Sequence, residues 1–176
     1  DNLRLLEKYG YQIIEPASGH LACGDSGKGK MPEPDELLSW VLKEIAYKKD
    51  LTGKKILVTA GPTQESIDPV RFITNHSSGK MGYAIARAAM LRGADVTLVT
   101  GPVSIAPPPF VRVVPVLSAE DMFQAVTSVS DRQDAVIKAA AVADYTPLSV
   151  SDQKVKKKDG EMSIELKRTK DILKFL

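Results

Sequence analysis

Between residues 54 and 140, short apolar runs alternate with longer amphipathic stretches. Runs rich in Val, Ile and Thr are typical of buried β-strands, and apolar residues at helical spacing fill the stretches between them. This alternation predicts an α/β, Rossmann-like fold with a mainly parallel sheet flanked by helices. Ser118 and Asp121 have the spacing of a capping box at the start of the second helix. The predicted strands are 56–59, 96–100, 111–116 and 135–140, and the predicted helices are 80–92 and 119–129.

The first 53 residues follow a different pattern. A short helix with a leucine-rich face comes first, and Gly10 ends it. A stretch with four glycines among polar residues then predicts a mobile loop. An amphipathic helix with Asp35 as its N-cap follows, and a linker joins it to the sheet. The predicted bounds are 2–9 for the first helix, 11–14 for an extended run, 16–34 for the loop, 35–47 for the second helix and 48–53 for the linker.

In a parallel sheet, ligands bind beyond the carboxyl ends of the strands. This rule points to the segments after Thr59, Thr100 and Ala140. Residues 75–82, with the sequence Asn-His-Ser-Ser-Gly-Lys-Met-Gly, open the first helix of the sheet region with small hydrogen-bonding side chains. Free amides at a helix start favour a phosphate group. A well-capped helix start that binds no ligand is the alternative interpretation of the same residues.

Two common nucleotide-binding motifs are disfavoured by the residues at their key positions. A dinucleotide site needs G-x-G-x-x-G and an acidic residue after the second strand, where this chain has Thr100 and Gly101. Both features are missing, so a dehydrogenase is disfavoured. Residues 24–30 imitate the start of a P-loop, but Met31 stands where a magnesium-binding Ser or Thr is required. We interpret that match as fortuitous.

Lysines cluster at positions 154, 156, 157 and 158, ahead of a predicted strand at 162–167. Taken alone, such a run is typical of a solvated loop. If the loop folds back over the carboxyl edge of the sheet, its ammonium groups can neutralise a triphosphate and the pyrophosphate that leaves. Asp144, after the apolar residues 139–143, either accepts hydrogen bonds from a ligand or caps a turn.

Cys23 is the single cysteine of the chain. A free cysteine is by default a small buried core residue. The polar, glycine-rich surroundings of Cys23 instead suit a thiol that donates a proton to a substrate. His20 and His76 show no ligand spacing with it, so no metal cluster is predicted and metal ligands stay unassigned.

The overall composition narrows the classes of function. With 24 basic and 22 acidic side chains, the net charge of +2 does not indicate a nucleic-acid-binding protein. One cysteine cannot form an intrachain disulfide, and no apolar run approaches the roughly 18 residues of a membrane span. We therefore expect a cytoplasmic protein without membrane contact. The opening Asp-Asn-Leu-Arg shows neither an initiator methionine nor a signal pattern, which indicates a piece of a longer polypeptide.

Several segments, in order along the chain, resemble one family: the bifunctional phosphopantothenoylcysteine decarboxylase/phosphopantothenate–cysteine ligases. Residues 16–31, which include Cys23, resemble the substrate-clamping flap of the decarboxylase, although Lys30 stands where the family more often has Arg. Residues 67–71, Ile-Asp-Pro-Val-Arg, and residues 75–82 resemble the ligase signature. Segments 138–144, 154–157 and 170–173 resemble its nucleotide-binding parts.

The resemblance implies a division of the chain and its chemistry. Residues 1–47 correspond to the C-terminal part of a decarboxylase domain, 48–53 to a linker, and 54–176 to a C-terminally incomplete ligase domain. The ligase uses CTP and Mg²⁺ to join phosphopantothenate and cysteine through an acyl-cytidylate. The decarboxylase part of the parent protein uses FMN, whose binding region is absent here, so the fragment alone is not expected to be fully active. A homo-oligomer with a dimeric ligase domain is also implied.

The same resemblance assigns roles to individual residues. Cys23 returns a proton to the enethiol intermediate, Asn75 holds the acyl-cytidylate and Lys154 serves the triphosphate. These three residues are the catalytic candidates, and Arg71 is expected to orient the neighbouring loop. The substrate-binding candidates are Arg71, Asn75, Gly79 and Lys80, and the nucleotide-binding candidates are Lys138, Ala139, Ala140, Asp144, Lys154, Lys170, Asp171, Ile172 and Leu173.

Two other functions stay open on the residues alone. One is a nucleotide- or dinucleotide-binding α/β module without ligase chemistry. The other is a non-catalytic basic domain that binds nucleic acid through residues 154–158, although it lacks the interleaved aromatic residues of such surfaces. A preference for CTP over ATP and NAD supports the ligase, whereas strongly salt-dependent oligonucleotide binding supports the basic domain.

Overall fold

The computed structural model describes residues 2–157 and 160–176. Contacts between residues divide the chain into two compact units, Asp1–Glu44 and Ile45–Leu176. Among the residues that the structure describes, no helix has the length and apolar character needed to cross a membrane.

The first unit contains two helices and a two-stranded hairpin. The strands of the hairpin pair antiparallel, and Cys23 lies in the turn between them. The N–H of Leu21 donates to the carbonyl of Asp25 at 2.8 Å and closes this turn. The elements are α1 Asn2–Lys8, β1 Ala17–His20, β2 Ser26–Lys30 and α2 Pro34–Ile45.

The predictions for this unit need two corrections. Residues 16–34, predicted to be a loop, include the β1–β2 hairpin. Apart from Ala17, its strands consist of glycine and polar residues, so no apolar alternation marks them in the sequence. The extended run predicted at 11–14 lies outside any helix or strand. Asp35 lies in the first turn of α2 rather than at its cap, because Pro34 opens the helix, where its missing N–H is tolerated.

The second unit is built on a four-stranded parallel sheet, whose strands are β3 Lys55–Ala60, β6 Asp95–Thr100, β7 Arg112–Pro115 and β8 Ala135–Lys138. Their order across the sheet is β7-β6-β3-β8. β3 pairs along its whole length with β6, so that Ala60 and Thr100 end the two strands at the same edge. The predicted α/β fold class, with its mainly parallel sheet, is confirmed.

Two helices cover opposite faces of this sheet. Successive residues of a strand point to opposite faces, so Leu57 and Ala60 lie on different sides of β3. One helix packs its Gly82 against Ala60, and the other packs Met122 and Val126 against Leu57 and its neighbours. These helices are α3 Lys80–Leu91 and α4 Ala119–Thr127.

Short elements complete the second unit, and the sequence pattern missed most of them. Two antiparallel hairpins have strands of only three residues, which is too short for apolar alternation to be recognised. The strand predicted at 162–167 begins only at Leu166 and continues to Arg168. The elements are β4 Gln64–Ser66, β5 Phe72–Thr74, a 3₁₀ helix at Ser130–Arg132, β9 Tyr145–Pro147, β10 Leu166–Arg168 and α5 Ile172–Phe175.

The predicted capping box at the start of α4 is confirmed. The Ser118 hydroxyl accepts the N–H of Asp121 at 3.1 Å, and the Asp121 carboxylate accepts the N–H of Ser118 at 2.9 Å. The buried Glu65 of β4 adds a further acceptor, because its carboxylate takes the N–H of Ala119 at 2.8 Å. The start of α4 is therefore tied to the β4–β5 hairpin.

The segment predicted as a linker, residues 48–53, is bonded to the C-terminal end of α3. The Arg92 guanidinium donates to both carboxylate oxygens of Asp50, at 2.8 and 2.7 Å. The N–H of Leu51 donates to the Arg92 carbonyl at 3.0 Å. These bonds attach the segment to the second unit, and the division into residues 1–47, 48–53 and 54–176 stays a prediction.

Candidate functional site

A cleft of about 380 Å³ lies beyond the carboxyl end of β8. Lys138 ends that strand, and the loop that follows forms one wall, while residues 168–172 form the other. Ligands of parallel sheets bind at this edge. Five of the predicted nucleotide-binding residues come together here: Lys138, Asp144, Lys170, Asp171 and Ile172.

Two buried threonines hold the loop after β8 in place. The Thr59 hydroxyl accepts the N–H groups of Ala139 and Ala140, at 3.2 and 3.3 Å. The Thr63 hydroxyl accepts the N–H of Ala143 at 3.0 Å. The N–H groups of Ala139 and Ala140 are thus used inside the protein, and neither of these two predicted nucleotide-binding residues lines the cleft. Sequence reasoning missed both threonines, whose partners lie 80 or 81 residues along the chain.

The opposite wall is fastened to the same loop. The Thr169 hydroxyl donates to the Ala143 carbonyl at 2.7 Å, and its N–H donates to the Asp144 carbonyl at 3.0 Å. Asp171 caps α5 by accepting the N–H of Leu173 at 2.9 Å. Ile172 is buried in the core with α4. Leu173 is exposed and does not line the cleft, so the structure does not bring it to the other candidates.

The charge of the cleft favours an anion. Its lining contains three cations, Lys138, Arg168 and Lys170, against the carboxylates of Asp144 and Asp171. Low-dielectric walls strengthen the attraction of such cations for phosphate oxygens. Arg168 was missed by sequence reasoning because a lone arginine at the end of a three-residue strand carries no pattern.

Lys170 has partners within the protein as well. Its ammonium group donates to the Glu120 carboxylate at 2.7 Å and lies 4.8 Å from the centre of the Phe123 ring. The hydrogen bond from Lys170, with help from Gln124, lowers the pKa of Glu120 below its ordinary value. Lys170 therefore has a defined position at the rim of the cleft, where β10 leads into α5.

Asn75 contacts the loop that builds the cleft. Its side-chain amide donates to the carbonyls of Val142 and Ala141, at 3.1 and 3.3 Å. This leaves the Asn75 carbonyl oxygen, Oδ1, as the acceptor that a reacting group can use. The position of Asn75 follows from β5, because the residue comes directly after Thr74 at the end of that strand.

Glycines let three chain segments approach one another beside α3. Gly61 and Gly79 have φ values of 71° and 72°, in the left-handed region that favours glycine. A side chain at Gly101 would place its Cβ 1.7 Å from the Pro62 carbonyl oxygen. Gly79 is the N-cap of α3 and Lys80 is its first residue, so two of the four predicted substrate-binding residues lie at the helix start.

Asp68, in the turn between β4 and β5, is a buried carboxylate with five hydrogen bonds. Its Oδ1 accepts the N–H groups of Val70 and Arg71, at 2.8 and 2.9 Å. Its Oδ2 accepts the Arg71 guanidinium at 3.1 and 2.8 Å, and the N–H of Val155 at 3.0 Å. Arg71 also donates to the Val155 carbonyl. Sequence reasoning singled out Arg71 but gave Asp68 no role of its own.

The environment of Asp68 lowers its pKa and so shifts the pH range in which its carboxylate becomes protonated. Burial raises the pKa of Asp68, but the N–H groups of Val70, Val155 and Arg71 and the Arg71 guanidinium outweigh it. Together they lower the pKa from 3.8 to about 2. A carboxyl whose pKa is depressed on folding stabilises the folded state above its unfolded pKa. That contribution is lost as the pH falls through the folded pKa.

We expect the Asp68→Asn variant to lose thermal stability relative to the parent chain at neutral pH. The difference in melting temperature should be constant above about pH 5 and shrink between about pH 4 and pH 2, where the parent carboxyl becomes protonated. Melting curves of both chains, followed by circular dichroism across this range, check the expectation. A difference that stays constant down to pH 2 would contradict the assignment of the depressed pKa to Asp68.

Lys154 is exposed and does not line the cleft. It precedes Val155, which the β4–β5 turn holds, and Asn75 follows the other end of that hairpin. The β4–β5 hairpin therefore connects Asn75 and Lys154, two of the three predicted catalytic residues. Lys158 lies outside the described residues.

Cys23 and His20 belong to the first unit, whereas His76 directly follows Asn75 in the second unit. The Cys23 thiol is exposed in the β1–β2 turn, 3.8 Å from the Asp25 carboxylate. In residues 2–157 and 160–176, no group of three His, Cys, Asp or Glu side chains is arranged to hold a metal ion. The P-loop-like residues 24–30 lie in a hairpin, so they lack the helix that such a loop requires.

Comparison with known proteins decides the family. Residues 51–176 match the model of the family described as DNA/pantothenate metabolism flavoprotein C-terminal domain. The chain belongs to this family. Among curated proteins, the coenzyme A biosynthesis bifunctional protein CoaBC of Bacillus subtilis is 53% identical over 99% of this chain and 44% of its own length. The Escherichia coli protein of the same name is 46% identical over 98% of this chain and 43% of its own length.

Solved structures agree with this family assignment. A crystal structure of the C-terminal domain of CoaBC is 55% identical, with a TM-score of 0.62 over 71% of this chain and 58% of that one. A DNA/pantothenate metabolism flavoprotein from Streptococcus pneumoniae is 28% identical, with a TM-score of 0.61 over 69% of this chain and 62% of that one. The family predicted from the sequence motifs is confirmed at the level of the CoaBC proteins, of whose length the chain spans less than half.

Proposed function

We propose that this chain is part of a longer, cytoplasmic protein that ligates 4′-phosphopantothenate with L-cysteine at the expense of CTP. In the same protein, the product, phosphopantothenoylcysteine, is decarboxylated to phosphopantetheine, a step of coenzyme A biosynthesis. The observation that carries the proposal is the cationic cleft beyond β8, whose loop is bonded to Asn75. The CoaBC relatives, named coenzyme A biosynthesis bifunctional proteins, support it through their sequence identity over nearly the whole chain.

The chemistry that we propose has two steps. A carboxylate oxygen of phosphopantothenate attacks the α-phosphorus of CTP, the bond to pyrophosphate breaks, and an acyl-cytidylate forms. The amine of cysteine then attacks the acyl carbon, CMP leaves, and the amine loses a proton as the amide forms. Both steps develop negative charge on phosphate oxygens, which fixed cations stabilise.

The described residues suit these steps. Lys138, Arg168 and Lys170 supply positive charge in the cleft, and we assign Lys154 to the triphosphate. We assign Asn75 Oδ1 the role of accepting a hydrogen bond from the amine that attacks the acyl-cytidylate, since Nδ2 is occupied by the loop carbonyls. Asp144 would offer a carboxylate oxygen to Mg²⁺, and the ion would supply further neutralisation of phosphate charge.

The decarboxylase role concerns the first unit. We assign residues 1–47 to the end of the decarboxylase domain, with Cys23 as the proton donor on the exposed β1–β2 turn. FMN belongs to the part of the parent protein that precedes this chain, and none of the residues present is assigned to it. A dimeric ligase domain is part of the same proposal.

The deciding experiment supplies the longer parent protein with CTP, Mg²⁺, phosphopantothenate and cysteine. We expect equimolar CMP, pyrophosphate and the amide product. Nucleotide binding without CMP formation would favour a nucleotide-binding module without ligase chemistry. Oligonucleotide binding that weakens steeply with salt would favour the basic nucleic-acid-binding domain.

The contribution of the cleft to nucleotide binding can be measured by comparing two lysine variants. Lys138→Ala is expected to weaken CTP binding about tenfold, because a charge-assisted contact to a phosphate contributes about 1.5 kcal/mol. Lys55→Ala is the matched control. This exposed lysine begins β3, the strand that pairs with β8, and so lies at the amino ends of the strands, away from the cleft at their carboxyl ends. Isothermal titration calorimetry with CTP measures the affinity of both variants. Equal affinities of the two variants would remove Lys138 from the nucleotide site.

A further inference from the structure

The lysine segment, residues 151–157, is bonded to the β4–β5 turn at two places. The N–H of Ser151 donates to the Ile67 carbonyl at 3.0 Å. Four residues later, the N–H of Val155 donates to Asp68 Oδ2 at 3.0 Å, and the Val155 carbonyl accepts Arg71. Because both backbone groups of Val155 are engaged, the chain at this position is fixed, while Lys154 beside it stays exposed.

The two carboxylate oxygens of Asp68 have separate partners. Oδ1 accepts the N–H groups of Val70 and Arg71, which closes the turn within the hairpin. Oδ2 accepts the Arg71 side chain and the N–H of Val155, which lies 87 positions along the chain. An exposed Asp is sufficient to close a turn of this kind. The buried second oxygen therefore links the Arg71 side chain of the turn to the lysine segment.

Burial of a carboxylate is costly unless hydrogen bonds replace its water. The side chain of Asp68 is fully buried, and its five hydrogen bonds include two from the Arg71 guanidinium. Charge-assisted bonds of this kind are short and directional. The result is a rigid attachment point for a segment that would otherwise be a solvated lysine loop.

We infer that Asp68 is a positioning residue, whose carboxylate together with Arg71 holds the lysine segment so that Lys154 meets the phosphates of the nucleotide. Asp68 itself touches no substrate. The inference rests on the proposed ligase function for the role of Lys154. The attachment of the segment is independent of that function and is tested separately.

The Asp68→Asn variant distinguishes the roles of the two carboxylate oxygens. The asparagine carbonyl can still accept from Val70 and Arg71, but its NH₂ group would face the N–H of Val155 and the Arg71 guanidinium, which are donors themselves. We expect the Val155 amide to exchange with solvent at least tenfold faster in this variant, measured by hydrogen exchange on the 176-residue chain. Unchanged exchange would overturn the attachment.

Kinetics of the longer protein test the positioning role. Asp68→Asn is expected to lower kcat/KM for CTP by about 10- to 100-fold, as displacement of a catalytic group does. In a Lys154→Ala background the same substitution should add no further loss, because the two residues act through one interaction. A merely structural role of Asp68 would lower activity in both backgrounds, and that result would overturn the inference.

Two further variants complete the test. Asp134→Asn is the matched control, because the Asp134 carboxylate also holds a backbone N–H, that of Lys55 at 2.8 Å, at the other edge of the sheet. It should leave kcat/KM for CTP within about twofold of the parent value. Val155→Pro removes the donor from the other side of the same bond, and it carries the kinetic test if Asp68→Asn fails to fold.

The remaining outcomes are also decisive. Faster exchange at Val155 with kcat/KM unchanged would overturn the positioning role, because the segment would then be held for another purpose. If the longer protein forms no CMP, that result would contradict the ligase proposal instead. The exchange measurement would still decide whether Asp68 holds the segment, since it needs no substrate.

Discussion

Gly101→Ala is expected to destabilise the second unit by about 3 kcal/mol or more, since an inserted methyl group here meets backbone and no flexible side chain. The added Cβ would lie 1.7 Å from the carbonyl oxygen of Pro62 and 2.7 Å from its carbon. Neither segment can move aside easily. Gly101 donates to the Ala60 carbonyl at 3.0 Å, and Pro62 forms a bridge with Ala141.

Urea unfolding of the 176-residue chain measures this effect. Gly27→Ala is the control, because its Cβ would have no heavy atom within 4 Å and its φ lies outside the left-handed region. We expect Gly27→Ala to unfold at the parent midpoint and Gly101→Ala at a much lower urea concentration or without a cooperative transition. A Gly101→Ala midpoint equal to the parent value would show that the contact with Pro62 is absent in solution.

Asn75→Ala is expected to lower amide formation by the longer protein by about 100-fold or more, the size of effect seen when one preorganised polar group is removed from a reaction site. The substitution removes Oδ1, which we assign to the attacking amine, and the two bonds from Nδ2 to the Ala141 and Val142 carbonyls. CTP binding should change little, because the cations of the cleft remain.

Parallel assays of product formation and CTP binding separate these effects. His76→Ala is the control, since His76 is the exposed neighbour of Asn75 and is assigned no role. We expect His76→Ala to turn over at the parent rate. Unchanged turnover by Asn75→Ala would refute its assignment, and a parallel loss of CTP binding would indicate that Asn75 mainly supports the loop.

The sheet could be predicted from the sequence because its strands are continuous apolar runs with turn residues between them. The capping box was equally visible, since Ser118 and Asp121 are local partners with a fixed spacing. The β1–β2 hairpin was not predicted, because glycine and polar residues leave no alternation to detect. Strands of three residues, such as β4 and β9, were also missed, because they are too short to show an alternation of apolar and polar residues.

The candidate site was predictable where a motif is continuous in sequence. Lys138, Asp144 and Lys170 were identified and do line one cleft, whereas Ala139 and Ala140 do not. Thr59 and Asp68 were missed, because each acts through hydrogen bonds to residues 80 or more positions away. Such partners follow only from the pairing of β8 with β3 and from the path of the chain beyond β9.

The support that Thr59 and Thr63 give to residues 139–143 comes from the sheet below and not from the side chains of those residues. The path of the main chain through this loop therefore does not depend on bonds made by the loop's own side chains. Ala140 and Val142 pack against the buried core around Leu57, so a larger or polar side chain at either position would disturb the core before it changed the cleft.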